Sequence, residues 1–157
     1  MNRFSATTDD QAVVPAGRDA IWAALTDPAV LPQLTPLLRH IEADGDLWRW
    51  ELTRIPVLGV SITPSFTERM VFHAPERIEF THAPPEGRRE RAAVEGWYQL
   101  DEVERGTHLH IRLTMTVELP LARSAGPAVR RVIETVMKHT GDRFSVNLLR
   151  HLDISTT

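Results

Sequence analysis

The sequence predicts an α+β domain in which a curved antiparallel sheet of about seven strands wraps a long C-terminal helix, with two short helices after the first strand. Three observations carry this reading. In "THLHIRLTMTVEL", Leu109, Ile111, Leu113, Met115 and Val117 alternate with His108, His110, Arg112, Thr114 and Thr116, the pattern of a half-buried antiparallel strand. Upstream, short alternating runs are separated by turn clusters such as "DGD", "HAPE" and "ERG". From about Ala128 to Leu152 the period becomes helical. A sheet with one apolar face needs a cover, and this helix is the only long amphipathic element available.

Taken in order, a first strand lies within Arg3 to Val14, and Pro15 and Gly17 end it. "RDAIWAAL" follows as a helix, with Asp19 in the first turn and Ile21, Trp22 and Leu25 on one face. Pro28 stops it, because the residue before a proline is pushed out of helical geometry. Pro28, Pro32 and Pro36 divide the next stretch, "LTDPAVLPQLTPLL", yet Leu31, Leu34 and Leu37 are too apolar for a solvated loop. We read it as a short helical piece over Leu31 to Leu37 that closes one end of a cavity.

"RHIEADGDLWRWELTR" reads as a hairpin, with Trp48, Trp50 and Leu52 on one face and Arg49, Glu51 and Thr53 on the other. "SITPSFTERMVF" and "ERIEFTH" are the next two strands, and "AAVEGWYQLDEV" pairs with "THLHIRLTMTVEL" around "ERG". In the last helix Val129, Ile133, Val136, Met137, Thr140, Phe144, Asn147, Leu148 and His151 share one face, and Arg131, Lys138, Asp142 and Leu149 fall opposite.

Composition bounds the function. The 157 residues, 42% hydrophobic and 25% charged, fit one soluble domain over residues 1–157. With no cysteine, thiolate catalysis, disulfides and cysteine-based zinc sites are excluded. A net charge of −3 argues against nucleic acid as a partner. No apolar run reaches membrane-spanning length, and "MNRFSATTDDQAV" lacks a signal-peptide core, so stable membrane insertion is not expected and the expected location is cytoplasmic. No nucleophile triad, phosphate loop or dinucleotide fingerprint occurs, and no cofactor is expected.

The element order and three segments resemble the START-like superfamily, the pollen-allergen-like or SRPBCC proteins that include polyketide cyclases and lipid-transport proteins. The segments are "AIWAALTDPAVLPQLTP", "FTERMVFHAPERIEF" and "VEGWYQLDEVERGTHLHI", and the resemblance covers nearly the whole chain. It implies the helix-grip fold. For function it implies only a choice, because the fold hosts ligand carriers, cyclases, hydrolases and protein-binding modules.

Candidate site residues follow from strand parity. Glu68 shares its face with Phe66, Met70 and Phe72, so an unbroken strand aims a carboxyl at the apolar side. Such a group tends to stay protonated and can act as general acid or ligand anchor. The alternatives are a register shift at Pro64 or neutralisation by Arg54. Tyr98, in parity with Val94 and Leu100, is the second catalytic candidate; its hydroxyl either meets the backbone or faces a ligand. The ligand-binding set is Trp48, Trp50, Phe66, Glu68, Met70, Tyr98, Met115, Met137, Thr140 and Phe144, around a void between sheet and helix. Thr140 and Asn147 are polar breaks in the helix face, and His82 is either a mouth or a loop residue. His108 and His110 have metal-ligand spacing but no third ligand, so no metal is expected.

The expected partner is therefore a hydrophobic small molecule or lipid. The two other readings are a cyclase or dehydratase working in the same cavity, and a protein-interaction module.

Overall fold

The computed structural model describes residues 1–152. Strand β1 (Asn2–Val14) is followed by helices α1 (Arg18–Leu25) and α2 (Leu31–Leu34), then by β2 (Leu38–Asp44) and β3 (Leu47–Leu52). A small hairpin of β4 (Ile55–Val57) and β5 (Val60–Ile62) comes next, then β6 (Ser65–His73), β7 (Arg77–His82), β8 (Ala92–Val103) and β9 (Gly106–Leu119). A 3-10 turn over Arg123–Ala125 leads into α3 (Gly126–His151).

Seven strands form one antiparallel sheet in the order β1-β9-β8-β7-β6-β3-β2, and α3 lies along it. This is the helix-grip arrangement. β1 and β2 are opposite edges of the sheet. The connection between them must therefore cross its full width, and α1 and α2 are that crossing. A polar loop could not lie on an apolar sheet face, which accounts for the leucines. Leu31 and Leu34 are buried.

The sheet has to bend to wrap a helix, and Gly96 of β8 marks a bend. It pairs with Leu113, and a Cβ at this position would run into the Arg112 carbonyl. Only glycine allows the two backbones to approach that closely.

Three details differ from the sequence reading. The helical piece expected over Leu31 to Leu37 is only α2, Leu31–Leu34, because Thr35, which precedes Pro36, is extended (φ −109°, ψ 111°). "SITPSFTERMVF" is not one strand: it breaks at Thr63 and Pro64, and Val60–Ile62 joins the separate β4–β5 sheet. Proline cannot donate to the ladder, and instead the Pro64 carbonyl accepts the Leu52 N–H at 2.9 Å. On α3, His151 is exposed, whereas Leu149, expected on the wet face, is half-buried. Leu149 gains its cover from the end of β1, with which it lines the same cavity.

The core falls into two clusters. One gathers Ile21 and Leu25 of α1 with Trp48, Met70, Ile78 and Leu100. The other gathers Phe4, Val117 and Leu119 with Val129 and Ile133 from the first half of α3. No helix among the described residues is long and apolar enough to cross a membrane.

Candidate functional site: a cavity beneath the C-terminal helix

Between the two core clusters the sheet and α3 do not close on each other. They enclose a cavity of about 490 Å³. Its floor comes from β3, β6, β8 and β9, its roof from the second half of α3, and one end from the α2 crossing. Leu31, Thr35, Pro36, Leu37 and Leu38 all line it. The crossing is held to the roof by Asn147, whose Nδ2 donates to the Leu34 carbonyl at 3.0 Å. Asn147 is thus a tie between helix and crossing and not a handle for a ligand. Leu37 has φ 72°, a left-handed conformation uncommon for a residue with a branched side chain.

Of the residues expected around the void, Trp50, Phe66, Glu68 and Tyr98 line it from the sheet. Met115 joins them there, and Met137, Thr140 and Phe144 line it from α3. Trp48 and Met70 do not. Both point inward as parity requires, but they lie on rungs nearer α1 and are consumed by packing. Trp48 is buried against Phe72, with ring centroids 5.8 Å apart. His82 does not line the cavity either; its Nε2 lies 2.9 Å from the buried carboxylate of Glu90, which also accepts the Thr67 N–H and hydroxyl at 2.7 Å each.

Glu68 is the centre of the polar chemistry. It is 1% exposed, yet it lines the cavity. The break at Pro64 precedes it without shifting its register: Glu68 sits opposite Trp48 on β3 and His82 on β7. Arg54 does not neutralise it, because Arg54 Nε donates to Ser61 Oγ at 2.9 Å. Among the described residues no hydrogen bond or ion pair reaches its carboxyl. Burial, and secondarily the negative charge of Glu95, hold its pKa well above the ordinary carboxylate range. Burial thus favours the neutral, protonated form of Glu68.

Tyr98 lies beside it, packed edge-on against Phe80 at 5.2 Å between centroids. Burial, and then the proximity of Glu68, raise its phenol pKa, so it too is protonated. Its hydroxyl finds no backbone partner among the described residues. The Thr140 hydroxyl likewise bonds to no helix carbonyl, unlike Thr135 and Ser145, which reach back to Arg131 and Gly141. Trp50 stacks on Phe66 at 6.3 Å, and its buried indole N–H is unpartnered. An apolar chamber with several unspent hydrogen-bonding groups is therefore present, and its deepest polar group is an acid.

Sequence reasoning missed the wall supplied by the end of β1. Asp10, Gln11 and Val13 line the mouth, together with Asp142, Ser145 and Leu149 of α3. The polar composition of "TTDDQAV" reads as a strand end, and only the pairing of β1 with β9 brings it beneath the helix. His108 and His110 sit on the far face, at 3.0 Å from Gln11 and 2.6 Å from Asp9. No group of three or more potential metal ligands gathers among the described residues.

No family model matches the chain, and no curated protein is significantly similar to it in sequence. Solved structures are similar in fold. A START superfamily protein from Mycobacterium smegmatis matches with a TM-score of 0.66 at 16% identity, over 92% of this chain and 97% of its own. A conserved protein from Geobacillus kaustophilus matches with a TM-score of 0.66 at 15% identity, over 94% and 95%. The Zhui aromatase/cyclase from Streptomyces sp. R1128 matches with a TM-score of 0.64 at 14% identity, over 95% and 94%. Sheet order, crossing helices, long C-terminal helix and these likenesses agree: the chain has the START-like helix-grip fold.

Proposed function

We propose that this protein is a cytoplasmic binder of a hydrophobic small molecule or lipid, which it holds between the sheet and α3. The observation that supports this best is the cavity itself: about 490 Å³, walled by apolar and aromatic side chains, within the size range of small-molecule sites. A space of this size serves no structural purpose, since unfilled interior volume lowers stability. The test is native mass spectrometry of gently purified protein, together with titration by an apolar fluorescent probe. A bound small molecule, or probe entry with quenching of the Trp50 emission, is the expected result. A protein that carries nothing and admits no apolar probe overturns the proposal.

One observation favours a second reading, a cyclase or dehydratase. Glu68 and Tyr98 are neighbours in the cavity with no hydrogen-bond partner among the described residues, and burial favours the protonated form of each. Such a pair can deliver a proton to a carbonyl or a leaving hydroxyl of a folded polyketide-like chain. On this reading Glu68→Gln and Tyr98→Phe abolish turnover of such a precursor but retain its binding. On the carrier reading there is no turnover to lose.

A further inference from the structure

The charged side chains lining the cavity are Asp10, Glu68 and Asp142. All are acids, and no lysine, arginine or histidine is among the described lining residues. None of these three carboxylates takes part in an ion pair with the described residues, although Asp9 next to Asp10 binds both His110 and Arg112. Two of them stand at the mouth. The third, Glu68, is 1% exposed, unpartnered and at the inner wall. It is one rung from the stacked Trp50–Phe66 pair and beside the Phe80–Tyr98 pair. Aromatic faces attract a cation, and a buried carboxylate needs one.

We propose that the ligand of this cavity is an apolar molecule carrying a basic nitrogen, with Glu68 as its buried counter-ion, and that the cavity rejects carboxylate-bearing ligands such as fatty acids. This inference rests on the binding function proposed above and narrows it to a ligand class. The acids at the mouth raise the local concentration of a cationic ligand. Inside, the ammonium donates to Glu68 and converts the costly lone acid into a hydrogen-bonded pair. An anion would meet the reverse at every point, with no positive group to receive it.

Binding of this kind has a proton signature. Burial favours the protonated form of Glu68 and a facing ammonium favours the ionised form, so binding of a charged amine is expected to release a proton into the buffer. The groups facing Glu68 that bear on this are Glu95 and Tyr98 of β8 and His82 of β7; β3 presents the uncharged Trp48.

The test uses the whole protein loaded with the neutral dye Nile red and displaced by decylamine, decanol or decanoate, each below its micellar concentration. Decylamine is expected to displace the dye at a concentration lower than decanol by about tenfold, and lower than decanoate by more. Glu68→Gln should erase the gap between amine and alcohol and leave the alcohol unchanged. Calorimetry of the unsubstituted protein in two buffers of different ionisation enthalpy should show a proton released with decylamine and none with decanol, which holds even where the variant fails to fold. Equal displacement by amine and alcohol, a preference for decanoate, or an amine preference that survives in folded Glu68→Gln overturns this inference and leaves the binding function standing. Nile red that never enters overturns the binding function itself.

Discussion

The concave face of the sheet is filled at one end and hollow in the middle, although the same strands run through both. At the α1 end Ile21, Ile78 and Leu100 are completely buried and Leu25 nearly so. Beneath the second half of α3, Val136, Met137 and Phe144 are only half-buried and look into open space. The residue types hardly differ between the two zones. What differs is the cover: α1 packs directly onto its part of the sheet, while the second half of α3 stands over the cavity, with the α2 crossing at one end. A hollow in a helix-grip fold is a matter of where the helices rest and not of a special cavity sequence.

The largest expected effect tests that contrast directly. Ile78→Ala or Leu100→Ala removes atoms from a site with no room to relax and should cost about 3–5 kcal/mol in urea unfolding. Phe144→Ala deletes a larger side chain, yet it enlarges a void that already exists, so a loss of about 1–2 kcal/mol is expected. Equal losses at both positions would mean that the cavity is filled in solution. Dye affinity should report the opposite order, changed by Phe144→Ala and unmoved by the α1-side substitutions.

This contrast also separates what was legible in the sequence from what was not. Alternation in β9 and the periodicity of α3 assign nearly every side chain to the correct face, because pleat and helix periods are local properties. Strand parity aimed Glu68 inward correctly despite Pro64. Position along the strand is not a local property. Trp48 and Trp50 are indistinguishable by parity, and only the resting place of α1 makes one a core residue and the other a cavity wall. The same holds for Met70 beside Phe66. Asp10 and Gln11 were invisible as mouth residues because their role depends on β1 pairing with β9, a contact across most of the chain. Leu149 lies opposite the apolar stripe by period alone, and only the end of β1 beside it gives it cover at the cavity mouth.

Glu68 allows a second, smaller test, in which chemistry rather than volume distinguishes the zones. Its folded-state pKa lies above its unfolded value, so the folded protein holds the proton more tightly. As pH rises through the ordinary carboxylate range the unfolded chain releases that proton first. Stability then falls by up to about 1.4 kcal/mol per pH unit until the folded-state pKa is passed. Glu68→Gln removes this penalty. The variant should match its parent below the ordinary carboxylate range and become progressively more stable than it as pH rises above that range in urea melts. An unchanging difference across that range would mean that Glu68 is paired or solvated in solution. No comparable pH effect is expected from substitutions at the α1 end, where the cluster is wholly apolar.

The smallest effect concerns the boundary of the hollow zone. Residues 29–38 form a crossing whose only helix has four residues, too short to be stable alone. Its hold comes from the burial of Leu31 and Leu34, from the Asn147–Leu34 hydrogen bond, and from the Thr53 N–H that donates to the Leu37 carbonyl at its β2 end. Segments held by so few contacts open more readily than sheet ladders, and lids are drawn from that class. β9, by contrast, is hydrogen-bonded on both sides by β1 and β8. Amides of residues 31–38 should therefore exchange faster than those of Ile111 to Met115, and a bound ligand should slow the former selectively. Asn147→Ala removes the tie at a cost of about 1 kcal/mol, confined to this segment. It should speed exchange there and raise the rates of probe entry and exit together, so that affinity changes much less than either rate. Should residues 31–38 prove as protected as β9, with or without ligand, the crossing is a fixed corner, and ligand must enter instead at the mouth between β1 and α3, past Asp10 and Asp142.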